Sequence, residues 1–141
     1  MELRAEVMIN SPADDAWLVV GERFGEIGDW ASGVTVSALD GPPGPGRLRT
    51  CHIAGVGPIG PGVIRERLVH FDPAARSLSY EAAGGMPSFV ERAASCWSVH
   101  PRQPGACAVR VHATLMLRPP ARPLAPLLCW RIRADTRRAL G

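Results

Sequence analysis

The chain has 141 residues, a length typical of one domain with its own hydrophobic core, and we predict a single domain over residues 1–141. It has no run of about 18 apolar residues and no apolar signal-peptide segment at its start, so we expect a cytoplasmic protein without integral membrane association. All 16 basic residues are arginine and the net charge is only +3, which gives little support to nucleic-acid binding.

The cysteines and histidines show no metal-binding pattern. The four cysteines, at positions 51, 96, 107 and 129, lie far apart, and no two of them have C-x-x-C spacing. The sequence therefore predicts no metal site, and nothing in it implies an organic cofactor. In a cytosolic setting we expect the cysteines to be small buried side chains.

The first elements are a strand and two short helices. Apolar residues alternate with polar ones over residues 3–9, which predicts a half-buried strand. Ser11 is predicted to cap a helix with Pro12 in its first position, and Gly21 is predicted to end it. A second short helix is predicted over residues 22–30, where Phe24, Ile27 and Trp30 recur at a spacing of three.

The rest of the chain predicts a series of strands and a final long helix. The strands are expected at about 34–39, 47–54, 63–71, 76–83, 90–100 and 107–118, with loops rich in glycine and proline between them. Consecutive strands with short links form an antiparallel sheet. The final helix, at about 124–140, places Leu124, Leu128 and Ile132 on one apolar stripe and is predicted to cover the concave face of the sheet.

Several segments, in this order and spacing, resemble the SRPBCC superfamily of START-like, helix-grip proteins. They are residues 9–17, 24–30, 46–49, 66–72, 78–80 and 84–87. The resemblance implies an α+β helix-grip fold, with a curved antiparallel seven-stranded sheet wrapped around a long C-terminal helix and two short helices after the first strand. Among its members, the chain is most similar to the polyketide cyclase/dehydrase type, which implies an internal cavity for a hydrophobic small molecule.

The strand at 63–71 has two possible inner faces. One face carries Ile64, Glu66, Leu68 and His70, and the other carries Val63, Arg65, Arg67 and Val69. The resemblance favours the face with Glu66, because the matching glutamate of the abscisic-acid receptors looks into the cavity. Glu66 would then be a general acid or base, and the alternative is a structural ion pair with an arginine.

The resemblance also implies the remaining site residues. Arg49 would pair with Glu66 or polarise a ligand carbonyl, and Tyr80 would donate a hydrogen bond in the pocket. Other residues predicted to bind the ligand are Cys51, Ile53, Ile59, Ile64, Leu68, Ser95, Trp97 and Leu128.

The sequence thus predicts a protein that binds a hydrophobic small molecule in an internal cavity. Polyketide cyclase/dehydrase-type chemistry of secondary metabolism, with acid–base residues and no cofactor, is the first hypothesis. The alternative is a non-catalytic carrier or sensor of a lipid- or quinone-like ligand. A second copy of the chain is a candidate partner.

Overall fold

The computed structural model describes residues 1–29, 34–54 and 61–119 of the chain. These residues form a seven-stranded antiparallel sheet in the order β1-β7-β6-β5-β4-β3-β2. Each strand begins and ends within one residue of its predicted bounds, which confirms the predicted sheet. The strands are β1 (Glu2–Ile9), β2 (Val34–Asp40), β3 (Leu48–Ile53), β4 (Gly62–Asp72), β5 (Ser77–Gly84), β6 (Val90–Pro101) and β7 (Cys107–Leu117).

Some predictions fall outside the described residues. They are the final helix at 124–140 with Leu124, Leu128 and Ile132, the residue Trp30 in the second short helix, and the residue Ile59 in the loop at the predicted cavity mouth. These predictions stay as they were made from the sequence.

Two short helical segments follow β1, but the first one begins differently from the prediction. The α-helix α1 covers Ala13–Trp17, and its N-cap is Pro12, with no side-chain hydrogen bond, so the assignment of the cap to Ser11 is wrong. Pro12 has an extended ψ of 149°, and its carbonyl oxygen accepts the first hydrogen bonds of the helix.

The helical path continues past Gly21, where the sequence predicted its end. A π-helical turn covers Leu18–Glu22, and a 3-10 helix with a kink at Glu26 covers Phe24–Asp29. No helix among residues 1–29, 34–54 and 61–119 has the length and apolar character needed to cross a membrane.

The main hydrophobic core joins these helical segments to the sheet. Trp17 and Phe24 are each 5% exposed and pack in one cluster with residues from four strands. Burial of each large apolar side chain stabilises the fold by about 1.5–3 kcal/mol, so this cluster fixes the helical segments against one end of the sheet. The strand residues in the cluster are Leu68, Leu78, Trp97, Val99, Cys107, Val109 and Val111.

A β-bulge in β4 changes which side chains face inward. Leu68 pairs with Tyr80 and His70 pairs with Ser79, so the residue between them on β4, Val69, has no partner on β5. After the bulge, His70 is exposed and Phe71 turns inward, with its ring centroid 5.5 Å from that of Trp17. The prediction that His70 shares a face with Leu68 is therefore wrong, because the bulge interrupts the alternation.

The end of β5 depends on a glycine. Gly85 has a φ of +85°, and a Cβ atom at this position would lie 1.9 Å from the carbonyl oxygen of Val63. A side chain here would therefore meet both an unfavourable backbone conformation and a strand backbone that cannot move aside easily.

We predict that Gly85→Ala destabilises the fold more than Gly105→Ala. Gly105 has a φ of +79° but open space around its Cβ position, so its substitution should cost only the conformational strain, about 1–2 kcal/mol. Gly85→Ala should lose a further 1–3 kcal/mol or so, because the Val63 carbonyl has to shift. Urea unfolding of both variants measures the difference, and equal losses would contradict the close approach.

Candidate functional site

A buried ion pair lies on the inner face of the sheet, where β3 and β4 run side by side. The strand register places Arg49 directly opposite Glu66. The Arg49 Nη2 donates to both carboxylate oxygens of Glu66, at 3.0 Å to Oε1 and 3.1 Å to Oε2. The Arg49 side chain is 2% exposed and that of Glu66 is 15% exposed. The pair therefore presents its carboxylate, and not its guanidinium, to the accessible side.

The other contacts of Arg49 come from the 3-10 helix and from β5. Its Nη1 donates to the carbonyl oxygen of Phe24 at 3.1 Å. The guanidinium carbon lies 3.9 Å from the centroid of the Phe24 ring and 4.6 Å from that of the Tyr80 ring. Burial is the largest single effect and would lower the pKa of Arg49, but Glu66, Tyr80 and Cys51 together outweigh it and the pKa is raised. Arg49 therefore stays charged in the interior.

Cys51 adds a third hydrogen bond to the carboxylate. Its thiol donates to Oε1 of Glu66, with 3.3 Å between sulfur and oxygen. Burial, reinforced by the Glu66 charge, raises the pKa of Cys51 to about 12. Because the thiolate is the reactive form, Cys51 is a hydrogen-bond donor to Glu66 and not a nucleophile at neutral pH.

Tyr80 and Trp97 complete the polar cluster on the neighbouring strands. The indole Nε1 of Trp97 donates to the hydroxyl oxygen of Tyr80 at 3.0 Å, and Ser95 lies directly opposite Tyr80 in the register of β5 and β6. Burial raises the pKa of Tyr80, and the Glu66 charge raises it further. Tyr80 therefore keeps its proton and can donate it in a hydrogen bond.

The structure brings five of the predicted site residues together: Glu66, Arg49, Tyr80, Cys51 and Trp97. Three others are on the inner side but play different parts in the packing. Leu68 is 3% exposed and belongs to the main core, Ile64 is half-buried beside Glu66 on β4, and Ile53 packs in a second cluster with Val90, Leu115 and Leu117. Arg65 and Arg67, on the opposite face of β4, are exposed.

Phe24 is a site residue that the sequence reasoning missed. The spacing of Phe24 and Ile27 predicted only an apolar helix face. In the structure, the Phe24 ring covers one face of the Arg49 guanidinium, and its carbonyl oxygen takes up one of the guanidinium N–H groups. No local pattern could indicate a contact between residues 25 positions apart in the chain.

The comparisons with known proteins agree with this architecture. The sequence matches the family described as "Polyketide cyclase / dehydrase and lipid transport" over residues 1–141. The chain belongs to this family. None of the curated proteins compared with it matches the sequence significantly.

Solved structures of the family's wider fold are also similar to the chain. A protein of Thermobifida fusca solved by NMR is 31% identical, with 89% of this chain and 81% of that chain covered and a TM-score of 0.70. The Zhui aromatase/cyclase from a Streptomyces species is 16% identical, with coverages of 99% and 90% and a TM-score of 0.82. A START superfamily protein from Mycobacterium smegmatis is 15% identical, with coverages of 99% and 93% and a TM-score of 0.80.

These likenesses confirm the resemblance to the START-like, helix-grip proteins and the curved sheet that it implied. At 15–16% identity, the two last structures establish the fold of this family member and not its activity.

The outer face of the sheet carries a concavity of about 570 Å³ between β1, β7 and β6. Two of its charged side chains pair with one another, since Arg110 donates to Glu6. Among the described residues, no group of three or more His, Cys, Asp and Glu side chains could hold a metal ion. The inner face, where the Glu66 side chain is 15% exposed, is the better candidate site.

We predict that Arg49→Met destabilises the protein strongly and that a second change restores much of the loss. The single variant leaves the Glu66 carboxylate without its buried partner, which typically costs about 3–5 kcal/mol. The double variant Arg49→Met with Glu66→Leu replaces both charges with apolar groups and should recover most of that stability. Urea unfolding of the three proteins measures this.

The control is Arg67→Met, on the exposed face of β4, the strand that carries Glu66. Arg67 lies 3.8 Å from the carboxylate of Glu81, and such surface pairs contribute little. A double variant no more stable than Arg49→Met, or an equal loss in Arg67→Met, would contradict the buried pair.

We also predict that the fold loses stability as the pH rises above 9. The folded protein keeps the Cys51 proton up to a pKa of about 12, whereas an unfolded thiol releases it near 9. The slope from this one proton is about 1.4 kcal/mol per pH unit. Cys51→Ser should reduce the slope, and Cys96→Ser, at a half-buried thiol on the outer face, should leave it unchanged. Identical slopes in the two variants would show that folding does not raise the pKa of Cys51.

Proposed function

We propose that the protein binds a hydrophobic small molecule against the inner face of its sheet and converts it by acid–base chemistry without a cofactor. The observation that supports this most is the Glu66 carboxylate, 15% exposed on an inner face that is otherwise mainly apolar and held in place by Arg49 and Cys51. A buried ion pair contributes little to stability compared with apolar residues of the same size. The position of the Arg49–Glu66 pair on the inner face, where we place the ligand, is better explained by a chemical use.

In this proposal Glu66 is the general base. Its two oxygens accept hydrogen bonds from Arg49, and a carboxylate held in this way can take a proton from a carbon next to a ligand carbonyl. Tyr80 is the donor that stabilises the negative charge on the carbonyl oxygen. The resulting carbanion would form a carbon–carbon bond to a second carbonyl carbon of the same molecule, and the oxygen of that carbonyl would take up the proton held by Glu66. Glu66 would then remove a second proton from the attacking carbon, a carbon–carbon double bond would form as the carbon–oxygen bond breaks, and the hydroxyl would leave with that proton as water.

Arg49 is a positioning residue in this proposal. The sequence left open whether it polarises a ligand carbonyl. Its contacts with Glu66 and Phe24, and the two aromatic rings beside it, support the view that it acts through Glu66. The fold shared with the Zhui aromatase/cyclase is consistent with cyclase-type chemistry.

The alternative is a carrier or sensor that binds a lipid- or quinone-like molecule without converting it. One observation favours it: both oxygens of Glu66 are already engaged by Arg49, as they would be in a purely structural ion pair. The family description also includes lipid transport. The two functions differ in whether Glu66 can take a proton from a bound molecule.

We predict that the protein accelerates proton removal from 5-nitrobenzisoxazole, an apolar probe of carboxylate bases. Loss of its ring proton breaks the N–O bond and releases a coloured nitrophenolate, so the rate is read by absorbance. Glu66→Gln should lower the rate by about 10²-fold or more, as expected for loss of a general base. Binding of the probe, followed by quenching of tryptophan fluorescence, should be retained.

The control is Glu91→Gln on an exposed position of β6, which should change neither quantity. A wild-type rate equal to that of Glu66→Gln, with binding intact, would reject the enzyme and favour the carrier. A protein that binds neither this probe nor other apolar molecules would reject both functions.

A further inference from the structure

The Arg49–Glu66 pair exposes its negative group more than its positive group. A guanidinium has five N–H donors, which lie in its plane and bind anions, and two flat faces that stack on aromatic rings. In Arg49, donors are used by Glu66 and by the Phe24 carbonyl, and the Phe24 and Tyr80 rings lie against the group. Of the two remaining N–H groups, that of Nε is fully buried and makes no hydrogen bond among the described residues, and the whole Arg49 side chain is only 2% exposed. The guanidinium is thus closed to a ligand.

The carboxylate is the part of the pair that a ligand can reach. Glu66 is 15% exposed against 2% for Arg49, and it shares the inner face of β4 with Ile64 and Leu68. The arginines of the same strand, Arg65 and Arg67, are on the other face and are exposed. No cation from β4 therefore accompanies Glu66 on the inner side.

We infer that this site selects an uncharged ligand that donates a hydroxyl proton in a hydrogen bond to Glu66, and that it excludes anions. The inference rests on the proposed function only in placing the ligand on the inner face of the sheet. It adds the charge and the hydrogen-bonding group of the ligand, which neither the fold nor the family defines.

The physical reason is the balance between charge and desolvation. A ligand carboxylate would approach the exposed negative end of the pair, while the positive end is buried at 2% exposure and already bonded to Glu66. An ammonium group would be attracted to Glu66. However, Arg49 already neutralises the carboxylate, so the ammonium group would add an unbalanced third charge and would also lose its own hydration. A neutral hydroxyl loses little on transfer and gains a hydrogen bond to an ionised acceptor, which is one of the stronger kinds.

The test uses four naphthalenes that differ in one substituent: 2-naphthol, 2-methoxynaphthalene, 2-naphthoate and 2-naphthylmethylammonium. Isothermal titration calorimetry at neutral pH measures the affinity of the full chain for each. We expect 2-naphthol to bind at least about tenfold more tightly than the methoxy compound, which lacks the proton, and than the two charged compounds. The apolar ring system is the same in all four, so the difference reports on the substituent.

Glu66→Gln provides the matched variant. It removes the negative charge and keeps the size of the side chain, while Arg49 retains its positive charge. The advantage of 2-naphthol over 2-naphthoate should therefore shrink by about tenfold or more. Glu91→Gln, at an exposed position on β6, should leave all four affinities as they are in the wild type.

The outcomes separate the inference from the proposed function. Four affinities within about threefold of one another, or tightest binding of the anion or the cation, would overturn the inference and leave binding at the inner face intact. An unchanged preference in Glu66→Gln would also overturn it, because Glu66 would not be the selecting group. Absence of binding for all four compounds would overturn the proposed function together with the inference.

Discussion

The interaction on which the inner face depends is the ion pair between Arg49 and Glu66. Through Arg49 it connects three parts of the chain, because the guanidinium bonds Glu66 on β4, bonds the Phe24 carbonyl and lies against the Tyr80 ring on β5. Removal of two charges from water costs several kcal/mol for each ion, and only close and complete hydrogen bonding compensates for it. The positions of the 3-10 helix, β3, β4 and β5 are therefore constrained together by one side chain.

The two faces of the sheet use charge in different ways. On the outer face, pairs such as Glu6 with Arg110 have half-exposed side chains, and such pairs contribute little individually to stability. On the inner face, Arg49 is one of the most deeply buried side chains among the described residues, although it is charged. Around it, the Cys51 thiol donates to the Glu66 carboxylate and the Trp97 indole donates to the Tyr80 hydroxyl, while Cys51 and Tyr80 keep their own protons. Among these groups, Glu66 is the one that we propose exchanges a proton with a ligand.

The strands could be predicted because their sequence alternates where the sheet has one buried face. Residues 3–9 and 107–117 follow this pattern, and their bounds were found within one residue. The inner face of β4 could not be derived in the same way, since both of its faces carry charged and apolar residues. The family resemblance resolved that choice, and the burial of Leu68 with exposure of Arg65 and Arg67 agrees with it.

What the sequence could not predict depends on contacts between distant segments. The bulge at Val69 is defined by the pairing of β4 with β5, so the exposure of His70 cannot be derived from β4 alone. The contact of Phe24 with Arg49 depends on how the 3-10 helix packs on the sheet. The cap of α1 is a local feature, but Ser11 and Pro12 both suit a helix start, and the backbone of Pro12 decided between them.

The most direct test of the account is an NMR titration of the Arg49–Glu66 pair with 2-naphthol. In the free protein, the Nη protons of Arg49 should give separate signals, because its hydrogen bonds to Glu66 and Phe24 prevent rotation of the guanidinium. On binding, the carboxyl carbon of Glu66 should shift while the Arg49 signals stay separate. A single averaged Arg49 signal, or a Glu66 carboxyl carbon that does not respond to the bound ligand, would contradict a fixed pair that presents its carboxylate to the ligand.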